Sequence, residues 1–174
     1  YTTYNSYVNY LKHRAAAPAT INCFILTVSD TRTSETDTSG RTMRDVLIKN
    51  GHSVVGYKLV PDDPVQIEDV IRKQIANSEV QVILTTGGTG ITSRDSTFEI
   101  VDKFLTKKLD GFGELFRVLS FQEIGAAAML SRATAGTANH TAIFVLPGSE
   151  PAVQLALTKL IVPELGHVVQ QMNR

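Results

Sequence analysis

The chain has 174 residues, 43% of them hydrophobic and 20% charged, which is the length and balance of one soluble globular domain with a core of its own. Its 17 Lys and Arg balance 17 Asp and Glu, so the basic excess that nucleic-acid binding uses is missing and neither DNA nor RNA is expected as a partner. The apolar stretches 125–130 and 142–146 are far shorter than the ~20 residues that cross a bilayer, and residues 1–14 lack the hydrophobic run of a secretory signal. No membrane segment is therefore expected, and the reading places the chain in the cytoplasm.

In chain order, residues 1–18 read as an N-terminal extension, helical up to the Pro18 break, ahead of a domain over 19–174. The first strand is predicted over 21–29, with Cys23, the single cysteine, as a small buried hydrophobe. Met43, Val46 and Leu47 recur at helical spacing, and 52–60 returns to strand character. Asp63 before Pro64 reads as an N-cap with proline at the first helical position, followed by the stripe Ile67, Val70, Ile71 and Ile75. A nearly continuous apolar strand over 80–86 runs into Gly87-Gly88-Thr89-Gly90. Ser96 with Glu99 has the spacing of a capping box for a helix carrying Ile100, Val101, Phe104 and Leu105, and 109–125 reads as helical too. Segments 133–137 and 141–146 flank Asn139-His140 as a hairpin, and two apolar stripes separated by Pro163 end the chain in helices.

Strands alternating with helices predict an α/β fold, a three-layer α/β/α arrangement with a mostly parallel sheet and helices on both faces. The segments after its strands, Ser29-Asp30, Pro61-Asp62, Thr86 to Gly90 and Pro147-Gly148-Ser149, then emerge at one carboxyl edge, where open α/β sheets bind ligands.

Gly87, Gly88 and Gly90 let backbone N–H groups approach an anion, and phosphate is the natural ligand of such a turn, although a tight connection explains glycines equally well. Beside the loop, Arg94 can neutralise phosphate and Asp95 can hold magnesium bridging phosphates; the competing reading of Asp95 is a helix N-terminal acid. Asp62 is the second metal candidate because Asp63 is taken as the cap, against the alternative of a turn aspartate. Ser131-Arg132 can add a cation to the same edge, and Ser149 reads as a ligand-facing hydroxyl or as a helix cap. Glu114, Arg117 and Ser120 share a helix face, where an internal ion pair competes with a role in binding, and they read as mainly structural. The four histidines share no spacing that suggests a metal site or a catalytic triad.

Three motifs in order, Thr85-Thr86-Gly87-Gly88-Thr89-Gly90 with Ser93-Arg94-Asp95, Leu130-Ser131-Arg132-Ala133 with Gly136, and Leu146-Pro147-Gly148-Ser149, make residues 21–174 resemble the MoaB/MogA family of molybdenum cofactor biosynthesis proteins, whose fold recurs in the gephyrin G domain. The stretch 113–125 looks more like the MoaB branch than the MogA branch. The resemblance implies binding of molybdopterin and its adenylylation with ATP and Mg2+ before molybdate insertion, the pterin phosphate attacking the α-phosphate of ATP. The alternative it leaves is a non-catalytic molybdopterin-binding or carrier protein of the same pathway. A third reading, an unrelated phosphate-binding enzyme on a similar sheet, rests on the glycine loop alone. The family's two functional aspartates match Asp62 and Asp95, as catalytic residues and metal ligands. Substrate-binding positions implied are Thr27, Ser29 and Asp30, the loop Gly87, Gly88, Thr89 and Gly90, then Arg94, Ser131, Arg132, Pro147, Gly148 and Ser149. This chain has Ser93 and Phe98 where many family members have proline. The resemblance also implies a homo-oligomer, a trimer or a hexamer.

Overall fold

The computed structural model describes residues 18–174; the predicted N-terminal helix lies outside them. The chain runs β1 (Asn22–Val28), α1 (Thr38–Lys49), β2 (Ser53–Val60), α2 (Pro64–Ala76), β3 (Val82–Thr86), α3 (Thr97–Phe104), β4 (Lys107–Lys108), α4 (Asp110–Ile124), β5 (Thr134–Ala138), β6 (Thr141–Leu146), α5 (Glu150–Ala156) and α6 (Val162–Met172). A 3-10 segment, Gly125–Leu130, follows α4. The strands form one six-stranded sheet in the order β2-β1-β3-β6-β5-β4. The first four of these run parallel, whereas β5 returns antiparallel from β6 and carries β4 on its outer side.

Alternation along the strands sorts the apolar side chains onto two faces. Cys23 and Ile25 point to the layer of α1, α4, α5 and α6, where they meet Met43, Leu47, Phe116, Leu157 and Leu165. Phe24, Leu26 and Val28 point to α2 and α3, against Ile67, Val70, Ile71, Ile100 and Val101. Each fully buried Ile or Leu contributes about 1.5–3 kcal/mol, which is why strands with little alternation in their sequence can be driven into the middle of three layers. Cys23 is fully buried and burial pushes its thiol up to about 12, so it is inert packing.

Two local features differ from the sequence reading. The edge strand β4 is only Lys107–Lys108, too short for any pattern, and its charges blunt the sheet edge. Pro163 does not break the last helix: a π-helical segment, Leu157–Ile161, precedes it, and Val162 N–H reaches back to the Leu157 carbonyl. Widening the turn moves the carbonyl that the proline ring would otherwise strike. The result is a continuous 23-residue helix, Glu150–Met172, long and apolar enough to cross a membrane by length and composition. Val153, Leu157, Ile161, Leu165 and Val169 on it are buried in the core beneath the sheet.

Candidate functional site

Thr27 on β1, Thr86 on β3 and Leu146 on β6 lie side by side in register, so the loops leaving these parallel strands emerge together at one edge. The turn after β3 is built for glycine. Gly87 and Gly88 have φ of 92° and 62°, in the left-handed region, and a Cβ at Gly87 would lie 2.0 Å from the Val28 carbonyl oxygen. A Cβ at Gly88 would lie 2.2 Å from Thr97 Oγ1 and 3.1 Å from Asp62 Oδ2. The Gly87 N–H donates to the Leu146 carbonyl at 3.2 Å and Thr97 N–H to the Gly88 carbonyl at 3.0 Å, which pins the loop between β6 and the start of α3.

Three carboxylates surround this loop. Asp63 caps α2 through the Gln66 N–H at 3.0 Å, leaving Asp62 free of that duty. Asp62 instead accepts from the Ser96 hydroxyl at 3.0 Å, while its own N–H donates to Asp30 Oδ1 at 3.0 Å. Burial raises the Asp62 carboxyl above its ordinary range, and the negative charges of Asp95 and Asp30 raise it further against the Ser96 bond. Asp95 goes the other way: the Thr92 hydroxyl at 2.6 Å, together with the backbone N–H groups of Thr92 and Gly90, holds it low. One site thus carries two carboxylates whose protonation preferences are pushed apart. Arg94 pairs with Asp30 at 2.9 Å and stays largely exposed.

The capping box is not formed. Ser96 is the N-cap of α3 but makes no side-chain cap bond; its hydroxyl goes to Asp62, and Glu99 pairs with Arg132. Arg132, placed with the ligand groups by sequence, sits behind the loop. Its Nε donates to the Thr89 carbonyl at 2.9 Å and Nη2 to the Gly90 carbonyl at 2.5 Å, with its guanidinium over the Phe98 ring. Ser131 lies next to it, half-buried, its carbonyl accepting from Arg117. Arg117 thus serves the carbonyls of Ser131 and Ala133 rather than the ion pair expected within α4.

Thr27 does not reach the open edge. It shares the sheet face of Cys23 and Ile25, is fully buried, and donates to Asp37 Oδ2 at 2.6 Å. Ser29 bonds the N–H groups of Thr31 and Arg32 in its own turn. Ser149 is the N-cap of α5 without a side-chain cap bond, so its exposed hydroxyl stays available at the edge.

Asp37 is the organising residue that the sequence reading missed. It is 2% exposed and accepts from Thr27, from the Gly40 N–H at 3.0 Å, from the Tyr57 hydroxyl at 2.7 Å and from Arg32 at 3.3 Å. Burial alone would raise its carboxyl, but these donors together bring it below the ordinary value. Burial and the Asp37 charge push the Tyr57 phenol up to about 12. Arg32 and Ser39 each donate to the Gly148 carbonyl at 2.8 Å, and the Thr86 hydroxyl donates to the Pro147 carbonyl at 2.8 Å. The turn 147–149 is therefore fixed from its carbonyl side and lies against Gly87, whose Cα is 3.4 Å from where a Gly148 Cβ would stand. The available signal was Asp37 itself, three residues before Gly40 at a helix start.

The sequence profile described as "Probable molybdopterin binding domain" matches residues 24–167. The chain belongs to the MoaB/MogA family of molybdenum cofactor biosynthesis proteins. It is 50% identical over 162 residues to molybdenum cofactor biosynthesis protein B of Halalkalibacterium halodurans, covering 92% of this chain and 95% of that one. A crystal structure of a molybdenum cofactor biosynthesis protein B superposes with a TM-score of 0.87 at 48% identity, over 91% of this chain and 99% of the other. The tungsten cofactor synthesizing protein MoaB from Pyrococcus furiosus superposes with a TM-score of 0.81 at 38% identity, over 91% and 100%. These relatives set the chain in molybdenum cofactor biosynthesis as a MoaB-like protein, with the family's α/β fold.

Proposed function

We propose that the carboxyl edge binds molybdopterin and, with ATP and magnesium, adenylylates its terminal phosphate. The observation that carries this reading is the packing of Asp62 against Gly88 and of Asp95 against Gly90 in the one turn, with opposite protonation preferences. Magnesium typically takes one or two carboxylates plus substrate phosphates. Asp62 fits that role because burial, and after it the charges of Asp95 and Asp30, disfavour its charged form, a cost a divalent cation relieves. Bound there, magnesium would neutralise charge developing on the phosphates.

The protein's own part is positioning. Backbone N–H groups of Gly88 and Thr89 in the glycine turn and of Gly148 and Ser149 in the turn after β6, with the Ser149 hydroxyl, orient phosphate and pterin. Arg94 can leave Asp30 for a phosphate oxygen. An oxygen of the pterin phosphate attacks the α-phosphorus of ATP, the new P–O bond forms as the α–β bridge breaks, and pyrophosphate departs. A cytoplasmic setting suits a reaction that consumes ATP.

The test is magnesium-dependent formation of adenylylated molybdopterin from ATP and molybdopterin. The intact protein should give product, with Asp62→Ala and Asp95→Ala each losing it. Pterin binding without product from the intact protein would make the chain a carrier, and failure to bind either ligand would remove both readings.

We also propose that the protein works as a homo-oligomer, a trimer or a hexamer. Leu115, Val118, Phe121 and Ile124 on α4 and Met129 and Leu130 after it are each more than half exposed. Val118, Phe121 and Met129 among them line, with Ala126, Ala128, Arg117 and Gln122, a mainly apolar groove of about 530 Å3, the kind of patch a second copy covers. Light scattering should report the oligomer, and Phe121→Glu should dissociate it.

A further inference from the structure

We infer that Arg132, held by Glu99 and seated on Phe98, is a positioning residue for Asp95: it fixes the carbonyl side of the 89–91 backbone so that the opposite side closes on the Asp95 carboxylate. The importance given to Asp95 rests on the adenylyl-transfer reading; the positioning itself does not.

A trans peptide is planar, with its C=O and N–H pointing in opposite directions. Arg132 Nε holds the Thr89 carbonyl at 2.9 Å, so the Gly90 N–H of the same peptide is turned away from Arg132 and toward Asp95, whose carboxyl it helps hold low. The carboxylate packs so closely on Gly90 that a Cβ there would lie 2.6 Å from Oδ2. Arg132 Nη2 holds the next carbonyl, that of Gly90, at 2.5 Å. Two residues on, the Thr92 N–H at 3.0 Å and its hydroxyl at 2.6 Å complete the grip on the same oxygen, Oδ2. The carboxylate is thus seated in a loop whose shape is set from behind.

All three guanidinium nitrogens have partners, the third through Glu99, and the cation lies 5.2 Å from the Phe98 ring centroid. A planar fork that reaches two successive carbonyls and a carboxylate at once has no equivalent in lysine, which offers one nitrogen. Arg132 therefore acts through Asp95 and not as a phosphate contact.

The experiment uses the full chain. Magnesium-ATP binding is measured by calorimetry for the intact protein, Arg132→Gln, Arg132→Lys, Asp95→Asn and the Arg132→Gln/Asp95→Asn double variant. Amide exchange is followed across residues 89–95. Loss of charge-assisted bonds to the loop should weaken binding about tenfold in Arg132→Gln, and coupling through one group should erase most of that loss once Asp95 is already Asn. Arg132→Lys should behave like Arg132→Gln, and exchange at 90–92 should quicken in both. Glu99→Gln, a milder change, should shift exchange in the same direction should Arg132→Gln fold poorly. The inference is overturned by a full tenfold loss persisting in the Asp95→Asn background, by lysine restoring binding, or by unchanged exchange. If the intact protein binds no magnesium-ATP, adenylyl transfer fails as a reading and the exchange result alone decides the positioning.

Discussion

Replacing Gly87 by alanine tests whether the turn after β3 is dictated by sterics. Gly87 has φ of 92°, where an L side chain costs roughly 1–2 kcal/mol. The added Cβ would lie 2.0 Å from the Val28 carbonyl oxygen, a backbone atom at the end of a central strand that cannot rotate aside as a side chain would. Overpacking of this kind typically costs about 1–3 kcal/mol, so the sum is about 2–5 kcal/mol, a large part of the ~5–15 kcal/mol that holds a domain together. At about 2–4 °C per kcal/mol for a chain of this size, Tm should fall by roughly 4–20 °C. The control is Gly111→Ala in α4, where nothing lies within 4 Å of the new Cβ and φ is not in the left-handed region; there alanine should stabilise by about 0.5–1 kcal/mol through helix propensity. Thermal and urea unfolding at one fixed protein concentration read both. Equal effects of the two substitutions, or a Gly87→Ala protein within about 0.5 kcal/mol of the original, would refute the steric account.

Asp37→Asn should destabilise by about 2–4 kcal/mol, because it removes the charge on which four donors converge, and urea unfolding measures it. Since Asp37 titrates lower folded than unfolded, its contribution is present above its ordinary value of 3.8 and is lost as pH falls through and below it. The acid limb of the stability profile should therefore flatten in the variant. Asp62 has the opposite sign: its raised value means the folded state prefers the proton, so Asp62→Asn should hold or raise Tm at pH 7 while product formation disappears. Asp95→Asn should lower Tm, because the carboxylate is held low by the Thr92 and Gly90 donors that an amide serves poorly; a higher Tm in Asp95→Asn, or a lower one in Asp62→Asn, would contradict the assigned environments.

The layered fold was legible because its signals are local and repeated: apolar strands of five to eight residues, stripes at helical spacing, and Asp63-Pro64 at a helix start. The site was legible as a place, since parallel strands send their loops to one edge. What could not be read was which partner each side chain would choose. Ser96 and Glu99 have capping-box spacing, yet each is taken by a residue more than thirty positions away, Asp62 and Arg132. No local pattern distinguishes the two outcomes, because the spacing is identical and only the fold supplies the rival partner. Thr27 shows the same limit from the other side: its strand position was right, but the alternation of β1 aims it at Asp37 beneath the edge. The π-helical segment before Pro163 and the two-residue β4 escape because one is an adjustment to packing and the other is made by backbone pairing.

The distribution of charge at the edge explains why the proposed reaction leans on a cation. Three arginines approach the loops, and each has an internal partner: Arg32 with Asp37 and the Gly148 carbonyl, Arg94 with Asp30, Arg132 with Glu99 and the Thr89 and Gly90 carbonyls. Two of them shape loops from the carbonyl side, which orients N–H groups but leaves little positive charge facing a ligand. Asp30, Asp62 and Asp95 meanwhile place three carboxylates beside the same loops. A polyphosphate approaching without a cation would meet this acidic cluster with only backbone dipoles and the releasable Arg94 to offset it, and like charges at a few ångströms are costly. Magnesium-free ATP should therefore bind far more weakly than magnesium-ATP. The difference should shrink in Asp62→Asn, where the carboxylate least favourable in its charged form has been neutralised; an unchanged magnesium dependence in that variant would mean that the cation is held elsewhere.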